Sequence, residues 1–148
     1  MDTKPDLHSR AAALRRRLLG DRRADEIAAG TDAFNQPFQD YATTNVFGGT
    51  WLNGVVSERE LALVNIGMLA GAGRFEEAAV YVGTALRVGV SLREVRELVM
   101  HITVYCGTPV GRQLLKAARK SLLEDGFDIE RLLDADAPAS TAAAARDQ

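Results

Sequence analysis

Apolar residues in this chain recur three and four positions apart and almost nowhere alternate, which predicts helices throughout. Residues 7–19 read as a first helix, with Asp6 as N-cap, Ser9 as an alternative start and Gly20 as the stop. A second helical stretch over about 32–47 places Phe34, Phe38, Tyr41 and Asn45 on one face before "FGGTWLNG" breaks it. Ser57-Glu58-Arg59-Glu60 fits the S-x-x-E capping box, in which each end satisfies a free backbone N–H of the other, and opens a helix that runs to about residue 72. In "RFEEAAVYVGTALRVG", Phe75, Ala79, Val82 and Leu86 share a face and Gly89 supplies a stop. "SLREVRELVMHITVYC" begins with Ser91 as N-cap and Glu94 three residues on, a second capping box, and ends at "GTP". Residues 110–124 show Leu114, Leu115, Ala118 and Leu122 in helical register before Gly126. No run of alternating β-branched residues bounded by turns occurs, so the fold class is all-α.

The helix over 91–106 carries more than one apolar face. With Val95 as reference, Leu98, Val99, Ile102 and Cys106 fall together, while Met100 and Val104 point nearly opposite. A helix apolar on two sides is buried on two sides, and a chain of 148 residues has few elements left to cover the second, which predicts an oligomer. That length suits one domain, over 1–126, and the Ala, Asp and Pro bias of 127–148 reads as a partly disordered C-terminal extension.

Composition narrows the chemistry. The chain is 47% hydrophobic, 26% charged and 6% aromatic, a soluble profile with small aliphatic packing. Leu61, Ala72 and the residues between them are too few and too interrupted by glycine to cross a bilayer, and the first residues lack the apolar core of a signal peptide, so a cytoplasmic location and no membrane partner are expected. The single cysteine forms no intrachain disulfide, and with two histidines no structural zinc set is available; no metal is expected. Formal net charge is −2, so the run "RRRLLGDRR" reads as a solvated helix end rather than a nucleic-acid surface.

Three segments, "MLAGAGR", "ALRVGVSLREVRELV" and "HITVYCGTP", give the chain a resemblance to the carboxymuconolactone decarboxylase family over about residues 16–122. The resemblance implies an alkylhydroperoxidase-D-like helical fold, a homo-oligomer (a trimer or hexamer), and cofactor-free chemistry on a small-molecule substrate at sites between helices or subunits. The type reaction loses carbon dioxide from γ-carboxymuconolactone; it needs a cation or donor for the lactone oxygen and an acid to protonate the resulting carbon. The chain departs from the family pattern at three places. Tyr81 stands where family decarboxylases usually have a histidine, Asn53 where an arginine follows the tryptophan, and Leu61 where another arginine lies in the next helix.

Candidate chemistry then falls on named residues, each with two readings. His101 has Glu97 four residues before it and Tyr105 four after, so it is either an oriented acid–base group or a structural histidine at a subunit interface. Tyr81 either donates a hydrogen bond to an oxyanion or fills a smaller pocket. Phe47 and Trp51, beside Gly48 and Gly49, wall a pocket with Asn53 offering an amide, or they simply pack. Asn45 and Asn65 interrupt apolar faces and are further polar candidates, whereas Glu77 reads as solvated and His8 as exposed and irrelevant. Cys106 lies about 140° round the helix from His101, a poor partner for it, and reads as an inert core residue.

The leading expectation is a cofactor-independent lyase acting on a lactone or oxo-acid-like substrate by proton transfer and decarboxylation. Its divergence, with arginine far exceeding lysine, suits an aromatic-catabolic or specialised-metabolite pathway. The alternatives are a non-catalytic oligomeric binding or assembly protein, and a thiol-dependent redox protein using Cys106.

Overall fold

Local caps decide where the helices of this chain begin. In the computed structural model, which describes residues 6–137, the Asp6 carboxylate accepts the Ser9 N–H at 2.7 Å and opens α1, Leu7–Leu19. Both capping boxes form: Ser57 with Glu60 opens α4, Glu58–Gly71, and Ser91 with Glu94 opens α6, Leu92–Cys106. Between these lie α2, Asp21–Ala29, α3, Gln36–Tyr41, and α5, Phe75–Arg87; α7, Thr108–Glu124, and α8, Ile129–Ala135, follow. Among the described residues there is no strand, as the spacing predicts, and no helix is long and apolar enough to cross a membrane.

Helix α5 is the centre of the packing. It lies against α4 and α7, and its far end meets α1, so that Val82, Ile66, Leu114 and Leu18 are shut off from solvent together. Thr84 is also fully buried and donates from Oγ1 to the Leu18 carbonyl at 2.8 Å. Helices α6 and α7 approach closely at Gly111, where a Cβ would stand 2.0 Å from Thr103 Oγ1.

A charged cluster joins α2 and α5 to the end of α7. The Asp125 side chain, 2% exposed, receives Arg22 Nη2 at 2.5 Å and Arg87 Nη2 at 2.9 Å. Gly20 makes room for it: its φ of +87° belongs to the glycine region, and a Cβ there would lie 2.5 Å from Arg87 Nη2.

Several expectations need correction. The stretch over 32–47 is not one regular helix: α3 gives way to a π-helical segment, Ala42–Gly48, whose wider turn brings Thr43 and Phe47 inward against α1. Phe34, Phe38 and Tyr41, which precede that segment, are exposed, Phe34 at 94%. Helix α2 appears where only a charged helix end was read, and α8 forms within the expected extension, capped by Asp128 accepting the Arg131 N–H at 3.0 Å. Residues 138–148 of that extension lie outside the described residues. Helix α7 starts a half-turn early, at Thr108, because Pro109 is tolerated in a first turn, and Leu115 faces solvent. Helix α6 buries Val95, Val99 and Ile102 on one side while Met100 and Val104 are open.

Candidate active site

Three aromatic rings from three elements form a continuous stack. Phe47 comes from the inner side of the π-helical segment, Trp51 from the short 3-10 turn Trp51–Asn53, and Tyr81 from the middle of α5. The centroids of Phe47 and Trp51 are 6.4 Å apart, and Trp51 lies nearly parallel to Tyr81, 6.1 Å away with 8° between the planes. Gly49 permits the turn that delivers Trp51, since a Cβ there would be 2.4 Å from the Asn45 carbonyl oxygen.

Tyr81 is the titratable member of the stack. Burial pushes its phenol above the ordinary tyrosine value, and the Arg15 charge and the Asn65 amide pull it part of the way back. A phenol holds its proton throughout the neutral range even at the ordinary tyrosine value, so the hydroxyl can act as a hydrogen-bond donor. Asn65 stands half-buried in the middle of α4.

Arg15 completes the arrangement from α1. Its guanidinium carbon sits over the Phe47 ring, 5.6 Å from the centroid. Its Nη1 donates to Thr43 Oγ1 at 3.1 Å and its Nη2 to Gln39 Oε1 at 2.9 Å, both neutral acceptors, and its Nε is buried without a partner. Among the described residues no carboxylate lies within 4.0 Å of it. Burial lowers its pKa, opposed by Tyr81, but an arginine stays charged.

Of the residues singled out in the sequence, the fold brings together Phe47, Trp51, Asn65 and Tyr81. It places the others elsewhere. His101 and Tyr105 form a tilted pair on the outer side of α6, centroids 4.9 Å apart, with Tyr105 78% exposed. Glu97 does not orient the imidazole: its cation neighbour is Arg96, with Nε at 3.9 Å, and no hydrogen bond joins it to His101. Asn45 spends its amide on the Tyr41 carbonyl at 3.0 Å, and Asn53 is exposed on its turn. Cys106 is exposed rather than in the core, at the last residue of α6; its Sγ would be 3.8 Å from a Cβ on Gly71. His8 is exposed, but it pairs with Thr44 Oγ1 at 3.1 Å and lines a cavity that Arg15 also lines.

Arg15 is the residue that sequence reasoning missed. Its signal was present: it stands four residues after Ala11 and three before Leu18, both fully buried, so it occupies the inner face of α1. The charged residues on either side of it disguised that position.

An all-helical chain with a protonated phenol and a carboxylate-free arginine beside an aromatic wall has the makings of a site for small organic anions. Residues 36–120 match the carboxymuconolactone decarboxylase family, and the chain belongs to it. It is similar to a nitrosuccinic acid decarboxylase of Metarhizium robertsii, 26% identical over 124 residues that cover 81% of this chain and 87% of the relative. It is also similar to a 4-carboxymuconolactone decarboxylase of Acinetobacter baylyi, 24% identical over 119 residues, 80% of this chain and 89% of the relative. Phe47, Trp51, Asn65 and Tyr81 fall inside the family match, and Arg15 precedes it.

Proposed function

We propose that this protein is a decarboxylase of small organic acids in which an electron-withdrawing group neighbours the carbon that loses carbon dioxide. Membership of the family and decarboxylase-named relatives support the reaction class. The observation that carries the site assignment is Tyr81, a partly buried phenol stacked on Trp51 at 6.1 Å, with Arg15 over the other end of the same stack.

The chemistry follows from where charge goes. As the bond between carbon and carboxylate breaks, its electron pair moves onto an oxygen of the adjacent lactone, nitro or oxo group, and carbon dioxide departs. The Tyr81 hydroxyl donates a hydrogen bond to that oxygen, which is more basic in the transition state than in the bound acid. The carbon then takes up a proton. Because the substrate carries its own electron sink, this step calls for neither a metal nor an organic cofactor. Both nitrosuccinic acid and 4-carboxymuconolactone, the compounds in the relatives' names, combine carboxylates with such a sink.

The protein works, in this reading, as a homo-oligomer. Met100 and Val104 on α6 and Val64 and Met68 on α4 are exposed apolar side chains on two helices that pack together, a surface suited to a second copy of the chain. His101 and Tyr105 then belong to the boundary between subunits.

The test is to incubate the purified protein with nitrosuccinic acid, 4-carboxymuconolactone and a set of related lactones and oxo acids, following carbon dioxide and product mass. Release of carbon dioxide from at least one is expected. Binding without release from any member would favour a ligand-binding protein on a decarboxylase scaffold.

A further inference from the structure

Between α1, α2 and α3 lies an open cleft of about 400 Å³, room enough for a small organic acid. Its floor is apolar, made by Ala12, Leu19, Ala24, Ile27 and Ala28. Two arginines reach its wall, and they differ in one respect. Arg16 is already neutralised, with Nη1 3.0 Å from Asp21 and Nη2 2.6 Å from Asp25. Arg15 has only Thr43 and Gln39 as acceptors and so brings an uncompensated charge into a half-buried place.

A buried charge without a counter-ion is costly, and proteins keep one where a ligand supplies the opposite sign. Arg15 is also the group common to the cleft and the stack: it lines the first, lies over Phe47 in the second, and its charge is felt by Tyr81. We propose that Arg15 binds a carboxylate of the substrate that the reaction leaves in place, received in the cleft between α1, α2 and α3. The word "substrate" here rests on the decarboxylase reading given above; the anion site itself does not.

The choice of the retained carboxylate follows from the direction of charge flow. A cation fixed on the departing carboxylate stabilises the ground state and opposes the loss of carbon dioxide, whereas one on the retained carboxylate holds the molecule equally in both states. Asp40 also lines the cleft, exposed and with its Oδ1 accepting from Gln36 Nε2 at 2.8 Å, so an anion seats at Arg15 and away from Asp40. The expected ligand class is a small acid with a carboxylate at Arg15, where the cleft meets the Phe47 ring, and its reacting end toward the aromatic stack.

The test uses acids that cannot lose carbon dioxide readily, so that binding is read apart from turnover. Titration calorimetry with 3-nitropropanoate, glutarate and benzoate is compared with their methyl esters on the wild type, Arg15→Gln, Arg15→Lys and, as a control, Arg119→Gln. At least one acid is expected to bind the wild type about tenfold or more tightly than its ester. Arg15→Gln removes that preference, Arg15→Lys restores part of it because charge is kept while the planar fork is lost, and Arg119→Gln leaves it intact. A purely structural role for Arg15 weakens acid and ester alike, which thermal melting of each variant reports separately. The proposal is overturned if no acid binds the folded wild type at millimolar concentration, if acid and ester bind equally, or if the preference survives Arg15→Gln. Carbon dioxide release with a KM unmoved by Arg15→Gln leaves the decarboxylase reading standing without this site; acid binding through Arg15 with no turnover of any substrate does the reverse.

Discussion

The guanidinium of Arg15 lies over the ring of Phe47, 5.6 Å from its centroid, and this contact ties α1 to the π-helical segment at the edge of the aromatic stack. A cation over an aromatic face is worth about 0.5–2 kcal/mol depending on how dry the site is. It fixes the arginine in position without cancelling its charge, as a carboxylate partner does. Arg15 thus brings a cation to the stack from α1.

Tyr81 carries a prediction in pH. Its folded-state pKa lies above the ordinary value near 10, chiefly through burial, so the protonated phenol contributes stability that is complete below the unfolded value and disappears as pH rises through the folded one. Any rate that depends on the protonated phenol stays flat across neutral pH and fails only in strong alkali. The ultraviolet difference titration between wild type and Tyr81→Phe should show a phenol ionising above the ordinary tyrosine value; ionisation below it contradicts the assigned environment.

Asp125 predicts an acid-sensitive fold. Burial raises its pKa, but hydrogen bonds from Arg22 and Arg87 outweigh that and hold it below the usual aspartate value. The stability it contributes is present above the unfolded aspartate value and is lost as pH falls through the lower, folded one. Asp125→Asn leaves Arg87 beside a neutral group and should destabilise by about 2–3 kcal/mol, less than a fully buried pair because Arg22 is partly solvated. Urea melts at neutral pH check the size, and the difference between variant and wild type should shrink in strong acid.

Gly111 sets the distance between α6 and α7. Gly111→Ala drives a methyl to within 2.0 Å of Thr103 Oγ1, a side chain already anchored to the Val99 carbonyl at 2.8 Å, so the helices must separate. A loss of about 1–3 kcal/mol is expected from overpacking. A thermal melt unchanged by the substitution contradicts the close approach.

Met68 and Val104 test the assembly. Their side chains are 60% and 79% exposed, so Met68→Glu and Val104→Glu cost a lone chain little. Sedimentation should show the wild type as an oligomer and the double variant as a smaller, folded species. Identical sedimentation of the two contradicts the role given to this face.

The parts of the fold that were legible in the sequence are those fixed by neighbours. The pairs Ser57 with Glu60 and Ser91 with Glu94 lie three residues apart, and the helices start where they stand. Over 42–48 a regular 3.6-residue projection fails, because the widened turn shifts the register of the residues in it and Thr43 and Phe47 become the buried ones while Phe38 and Tyr41, before it, stay exposed. For the site, polarity on an apolar face flagged Asn65, but the same clue misled at Asn45, which turned to its own backbone. The parallel packing of Trp51 on Tyr81 joins residues thirty positions apart through α4 and α5, and no periodicity contains it. Cys106 shows the limit of helical projection: the face it shares with Val95 and Ile102 is buried only as far as another helix reaches.

The most direct measurement is the steady-state rate of carbon dioxide release by wild type and Tyr81→Phe on the same substrate, with the melting temperature of each. Loss of one oxyanion donor should lower kcat about a hundredfold with KM little changed, while the phenylalanine keeps the stack with Trp51 and the fold. An unchanged kcat in a well-folded Tyr81→Phe protein contradicts the assignment of Tyr81 as the donor to the developing oxyanion.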